Sequence, residues 1–451
     1  MIREFFNEEF LKEYYLNNRA KENVGTDRIT RRNFENKLPQ NIEIITSKVN
    51  DGSYKFSRYR GVMIPKKPDK PPRIIAISTI RDKLTLSVVK ELLYLYYPNI
   101  KQELVHTKIS KIKNILLESD YDTFIKIDVI NFFPSILHDK LIDKLCSANV
   151  DDKLIKLIEK CIQCEIYFDG FIDATAKYKK RGVHQGLPIS NLLAEIYLND
   201  IDLKYDNIDE ISYFRYVDDI FILCNKEKSE RIYNEIKNDL EQSLDLSVHD
   251  LNGKSSIDSI KNGFDYLGYY YNGIQFSVRE STVNKLERSI EKIFLEHRKQ
   301  KFDNVELFLW DLNIRITGAI VESSKIDQFG NKIKKKYGWM FFFSLNEDQT
   351  LLFKLDNFIK KMFERFMLKE KIDIRKIKRF VKTYHEILYN RFNTGYIPNF
   401  SLYTIENKKD FLLNILKLEI SGMDDERIIT IFDRCIFNTI RNLEEDVQNF
   451  S

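Results

Sequence analysis

The 451-residue sequence predicts an α+β fold, mixed over about residues 55–275 and mainly helical beyond them. Short apolar runs and strand-like alternation recur between amphipathic stretches in the first part. Past residue 280 the apolar positions fall at helical spacing, as in Leu286, Ile290, Ile293 and Phe294. With only 15 Gly and 9 Pro against 43% hydrophobic and 13% aromatic residues, collagen-like, low-complexity and extensively disordered chains are excluded. The net charge of +4, from 72 basic and 68 acidic residues, is too balanced to mark a polyanion binder by itself. Any electrostatic footprint must be local.

Residues 1–50 read as helical. Tyr59 to Pro65 then alternates as a strand, Lys66 to Pro72 is a turn, and Arg73 to Ile80 returns as a second strand. From Ser53 to Arg73 seven basic residues face the single acid Asp69, so this hairpin is expected to touch phosphates. A helical pattern covers 82–118, and Thr123 to Ile127 forms an apolar strand ending at Asp128. Helices follow at about 138–164. The loop Gly182 to Pro188 opens a helix at about 190–204, with Ser190 or Asn191 as the expected N-cap. Ile211 to Cys224 reads as strand, tight turn and strand around Asp218-Asp219, followed by a helix at 227–243 and a hairpin at Phe264 to Tyr270.

Five cysteines without regular spacing argue for reduced thiols rather than a disulfide framework. Cys161-x-x-Cys164 lacks the second pair that a zinc site needs, so both read as core positions. No 18-residue stretch is free of charge and the N-terminus has no apolar signal region, so neither a membrane span nor export is expected; the expected location is cytoplasmic.

Asp-Asp pairs occur at 151–152, 218–219 and 424–425, and context separates them. The first and last sit at helix starts, where acids complement the helix dipole. Asp218 and Asp219 lie instead between two apolar strands, and Asp128 ends a third. If those strands are neighbours, the carboxylates converge, and repulsion between them calls for divalent cations. Two Mg²⁺ ions, with Mn²⁺ as a substitute, are the expected cofactors, suited to oxygen ligands and substrate phosphates. No phosphate loop of the G-x-x-x-x-G-K-[ST] kind is present, so an ATPase or helicase has no support.

In order along the chain, Asp128 with Asn131-Phe132-Phe133, Gln185-Gly186-Leu187-Pro188-Ile189-Ser190-Asn191, Tyr216-Val217-Asp218-Asp219, Lys254 in Gly253-Lys254-Ser255, and Phe264 to Gly268 are similar to successive blocks of the reverse transcriptases. The resemblance covers about residues 55–275. It implies a right-hand polymerase: N-terminal helices and fingers at 1–125, a palm with an antiparallel sheet at 126–275 with a fingers segment near 160–182, a helical thumb at 276–400 and an α-helical C-terminal region at 401–451. The implied activity is RNA-directed DNA polymerase, with an RNA template, a DNA product and dNTPs as partners. Asp128, Asp218 and Asp219 would be the metal-binding and catalytic acids, and Lys254 a general acid for departing pyrophosphate. Lys66 and Arg73 would clamp the triphosphate, Gln185 would hydrogen-bond the sugar while Gly186 allows close backbone approach, and Tyr216 would line the substrate site. Phe133, five positions after Asp128, would exclude a ribose 2′-hydroxyl. His184 reads as a loop residue lining the site rather than a base.

Beyond the resemblance, ten basic residues crowd Lys360 to Lys382 against three acids. Lys360, Lys361, Arg375, Lys376 and Arg379 are the expected nucleic-acid contacts on a helical segment. The loop wording, the Tyr337 to Phe343 segment and the helical tail look like the bacterial defence-associated, or abortive-infection, reverse transcriptases. That implies a dedicated noncoding RNA as template, and a second copy or a defence protein as partner. A retron-type or intron-type enzyme, untemplated or protein-primed synthesis, and a catalytically silent RNA-binding module are the alternatives.

Overall fold

The computed structural model describes residues 2–18, 24–65, 71–100, 103–168, 180–251, 253–326, 332–368, 370–390 and 394–447. The chain divides into two compact units, residues 1–102 with 120–259, and residues 103–119 with 260–451. The α+β class is as the sequence predicts.

In the first unit the basic hairpin is β1 (Tyr59–Ile64) and β2 (Arg73–Ile77), antiparallel with Ile64 opposite Arg73. The hairpin tip with Lys66 lies outside the described residues. The 82–118 pattern resolves into two helices, Ile80–Tyr96 and Val105–Glu118, the second belonging to the other unit. Thr79 caps the first through Asp82 N, and Asp82 in turn accepts from Tyr54 Oη at 2.8 Å and Ser57 N at 3.1 Å. That buried carboxylate fixes the approach to β1.

The apolar run β3 (Thr123–Asp128) enters a four-stranded antiparallel sheet, flanked by β6 (Asp219–Cys224) and β7 (Ser256–Ser259), with β5 (Ser212–Tyr216) outside β6. A two-residue strand, β4 (Ile166–Tyr167), pairs with β1 in parallel, Tyr167 opposite Arg60. Helices His138–Ser147, Asp152–Ile162 and Ser190–Asp206 supply most of the remaining core, and Ile125, Ile127, Ile158, Leu193, Ile220 and Ile222 are fully buried. Strands buried on both faces read as continuous apolar runs, which is why β3 and β6 stand out in the sequence. Asp151 and Asp152 do sit at a helix start, and Asp151 also caps it, accepting from Lys153 N. Ser190 does not cap: Ile189 holds that position, and Ser190 Oγ donates to His184 O from inside the first turn. The hydroxyl ties the preceding loop instead.

The second unit holds the hairpin β8 (Phe264–Tyr266) and β9 (Tyr269–Tyr271), extended by β10 (Phe276–Val278), and helices Glu280–Lys299, Val305–Thr317, Gln349–Arg365, Phe380–Tyr389 and Asp425–Val447. Among them sits a hairpin absent from the sequence reading, β11 (Ala319–Ile326) with β12 (Lys332–Tyr337). Phe400, Phe411, Leu412, Ile428 and Phe432 form one of its cores. The basic tract is only partly helical. Its described residues include the end of Gln349–Arg365, the short 3₁₀ turn Ile374–Lys376 and the start of Phe380–Tyr389.

Candidate active site

The sheet brings the carboxylates together. Asp128 closes β3 directly opposite Asp219, the first residue of β6, in antiparallel register. Asp218 occupies the turn between β5 and β6, its carbonyl 3.5 Å from Val129 N. Val217 makes that turn possible by adopting φ 57°, a left-handed conformation that is strained for a β-branched residue. Arg215 holds it, donating from Nη1 to Val217 O at 2.8 Å. The rest of the buried guanidinium is bonded to Asp202, by Nε at 2.7 Å and by Nη2, and to Glu195 at 2.6 Å, both from helix Ser190–Asp206. Sequence reading missed this hub. Its signal was Glu195 and Asp202 seven residues apart, on one face of a helix beside an arginine-bearing strand.

Lys254 Nζ bonds Asp128 Oδ2, so the lysine does reach the carboxylates. His249, not anticipated, lies 3.7 Å from the same oxygen and donates its backbone N–H to Asp128 O at 3.0 Å. Burial first, and the charge on Asp128, push Asp218 above the usual carboxylate range, with Lys254 and Arg73 opposing. Burial first, then the charges of Asp218 and Asp128, push Asp219 up to about 7. The three acids therefore form one electrostatic unit. Arg73 acts on it from β2.

Among the described residues no three His, Cys, Asp or Glu side chains are already arranged as a cage for an ion. Mg²⁺ does not require one, because it is commonly held by one or two carboxylates together with substrate phosphates and water. One buried and two half-buried acids that repel one another are a donor set that fits a divalent cation. This has a measurable consequence for the metal-free protein. The folded value of Asp219, about 7, lies above its ordinary 3.8, so the folded chain binds that proton more tightly than the unfolded chain. The stability it contributes is fully present below the ordinary value and is lost as pH rises through about 7. An ion takes over from the proton, so Mg²⁺ is expected to raise the unfolding temperature more at about pH 8 than at about pH 6. Equal shifts at both pH values in a thermal-shift titration would show that these acids do not take the ion.

The other expected residues divide. Phe133 is 8% exposed, packs on Phe132 and accepts a bond from Val183 N at 2.9 Å, tying it to the Gly182–Gln185 loop. Tyr216 is half-buried opposite Asp219. Gln185 O accepts from Ala76 N at 2.7 Å, and a Cβ on Gly186 would lie 2.7 Å from Ile75 Cγ2 and 2.8 Å from Ala76 O. The close approach that demands glycine there is thus to β2. His184 does not line the site: it is buried, edge-on to Tyr59 at 5.5 Å, its Nε2 2.7 Å from Cys164 O. Lys360, Lys361, Arg375, Lys376 and Arg379 are exposed in the second unit, with Arg375 paired to Asp373 at 2.9 Å and Lys376 to Glu306 at 3.5 Å.

Residues 64–271, spanning all three aspartates, match the family model described as “Reverse transcriptase (RNA-dependent DNA polymerase)”. These residues are a reverse transcriptase domain. The domain also contains Arg73, Phe133, Gln185 and Lys254, and stops short of the second unit's basic tract. Its curated relatives include the putative COX1/OXI3 intron 2 protein of Saccharomyces cerevisiae, 24% identical over half of this chain and 33% of that protein. The group II intron-encoded protein LtrA of Lactococcus lactis subsp. cremoris is 26% identical over 45% of this chain and 33% of its own length. The chain spans about a third of these two relatives. A solved structure of telomerase from Candida albicans in complex with a TWJ fragment of telomeric RNA aligns with 93% of this chain and 68% of that one, at 13% identity and a TM-score of 0.45. Reverse transcriptases in general use divalent metal ions. Among the described residues no helix is long and apolar enough to cross a membrane.

Proposed function

We propose that this protein is an RNA-directed DNA polymerase, a nucleotidyltransferase that extends a primer with dNTPs on an RNA template. The observation that carries the proposal is the convergence of Asp128, Asp218 and Asp219 at one end of a buried antiparallel sheet inside a reverse transcriptase domain. Asp128 and Asp218 would hold the divalent ions, with Asp219 as the supporting acid. Bound ions supply activation of the attacking 3′-hydroxyl and neutralisation of triphosphate charge. Lys254, ion-paired with Asp128, would give a proton to the departing pyrophosphate. Arg73, whose charge reaches Asp218 from β2, would offer a planar fork to the triphosphate. The test is incorporation of labelled dNTPs on an RNA template with a DNA primer and Mg²⁺. Folded protein that incorporates nothing overturns the reading, and primer extension without any template favours the untemplated alternative.

Phe133 would set the sugar. Its buried ring leaves no room to retreat from a 2′-hydroxyl, because packed sites yield poorly to added volume. Phe133→Ala is expected to raise the kcat/KM for an NTP relative to its dNTP by about tenfold or more, a ring's worth of exclusion being at least the ~1–3 kcal/mol of one misfitted group. An unmoved ratio returns Phe133 to plain core packing.

The basic tract would grip the template–primer backbone. Reversing Lys376 and Arg379 to Glu is expected to weaken binding to all sequences alike and to flatten its salt dependence by about one unit of slope per lost phosphate contact. A salt titration that matches the parent makes the tract a solvated face.

For biological role, the curated relatives favour the intron-type alternative, since they are themselves intron-encoded proteins. The defence-associated reading rests on the wording of the Gln185 to Asn191 loop and the Tyr337 to Phe343 segment. Sequencing the nucleic acid that copurifies separates them: DNA joined to an intron target supports the first, and DNA copied from a small dedicated RNA supports the second.

A further inference from the structure

A cavity of about 570 Å³ opens between the turn after the first helices and the start of β1; of its described lining residues Tyr167 belongs to the matched stretch 64–271 and the others precede it. Arg28, Arg58 and Arg60 line it, with Thr26 and Tyr167, and among the described residues its lining includes no acid. We propose that this cavity binds one nucleotide-sized ligand, with phosphate on the arginines and a base against Tyr167. The volume falls in the ~300–1,000 Å³ range of small-molecule sites.

The construction is specific. Gly25 presses on Thr79, where an added Cβ would come within 2.7 Å of backbone, and Thr26 Oγ1 donates to Arg58 O at 2.8 Å. Arg60 Nε donates to Val24 O at 3.0 Å, which anchors the guanidinium, and among the described residues its outer nitrogens carry no hydrogen bond. Arg58 is paired with Glu165 at 2.9 Å, whereas among the described residues no carboxylate lies in ion-pair reach of Arg28 or Arg60. Arg28 sits at φ 54°, an uncommon left-handed backbone for a residue with a side chain, stabilised by its N–H bonding Gly25 O at 3.2 Å. Tyr167 stands beside Arg60 in register, so a cationic fork and an aromatic face are adjacent. Guanidinium forks match phosphate, and every nucleobase has a face that stacks.

The cavity is not the site of the three aspartates. Arg60 and Arg73 sit four positions apart along the paired strands, about 13 Å at ~3.3 Å per residue. A nucleotide here would leave the carboxylates free.

The test is equilibrium dialysis of the full chain in EDTA, which keeps Mg²⁺ from the carboxylates. Labelled ATP and single-stranded hexanucleotides with a 5′-phosphate or a 5′-hydroxyl are the probes. Saturable binding of ATP supports a free nucleotide as ligand, and binding of the 5′-phosphorylated strand alone supports a strand end. In either case Arg28→Ala with Arg60→Gln should weaken binding at least tenfold, and Tyr167→Ala should weaken it while Tyr167→Phe does not. Arg28→Ala alone guards against misfolding, because that exposed side chain has no carboxylate partner among the described residues. Absence of saturable binding by any probe, or affinity unchanged in the arginine variants, overturns the proposal. Since neither metal nor turnover enters the measurement, its failure leaves the polymerase reading untouched.

Discussion

Asp218→Asn is expected to lower dNTP incorporation by about 10³-fold or more without loosening the fold. The substitution keeps volume and removes a negative charge. Metal-based stabilisation of a transition state is worth several kcal/mol, and each ~1.4 kcal/mol is tenfold in rate. In the metal-free protein the same change relieves repulsion, because the charged form of Asp218 is disfavoured by burial and by Asp128. Stability without metal should therefore hold or rise as activity collapses, and the stabilisation by Mg²⁺ should shrink. Single-turnover incorporation and thermal unfolding, each with and without Mg²⁺, measure all three. Activity within tenfold of the parent would remove Asp218 from the chemistry.

The largest effect on stability is expected at Arg215. Its side chain is 5% exposed and joins three partners: Asp202, Glu195 and the carbonyl of Val217. Arg215→Ala strands two carboxylates in a poorly solvated place, and breaking one side of such a buried pair costs about 3–5 kcal/mol. It also releases the strained Val217 turn, so turnover should fall even in protein kept folded by low temperature. Adding Glu195→Gln and Asp202→Asn to Arg215→Ala removes the orphaned charges and should restore much of the stability but not the turnover. Urea unfolding of the single and triple variants decides this: equal loss in both makes the hub a matter of packing, not charge.

Much of this site was legible because its strands are strongly patterned. Asp128 and Asp218 are polar residues that interrupt apolar runs, and the tight turn at Asp218 makes β5 and β6 antiparallel neighbours, whereas the pairing of β3 with β6 was only a condition. Register was not legible. Which aspartate faces Asp128 depends on the conformation of one residue, Val217, and the structure makes the cross-strand partner Asp219. Long-range pairings were invisible for a similar reason: β4 contributes two residues to the sheet of β1, and nothing in Ile166-Tyr167 announces a parallel partner more than a hundred positions earlier. The β11–β12 hairpin was hidden because Lys332 to Tyr337 reads as a charged helical surface, with its alternation masked by consecutive lysines. The basic tract misled in the opposite direction. Charge density says where cations are, and says nothing of the turn at Ile374–Lys376 that redirects them.

The seam between Gly186 and β2 has a kinetic meaning. With Gln185 O bonded to Ala76 N and no space for even a methyl group at Gly186, the loop and the hairpin cannot slide past one another. Any swing of the hairpin carries Arg73 and Gln185 as one rigid piece. A substrate gripped by both would be enclosed in a single event rather than in two, and a fluorescent reporter on either segment should record the same rate.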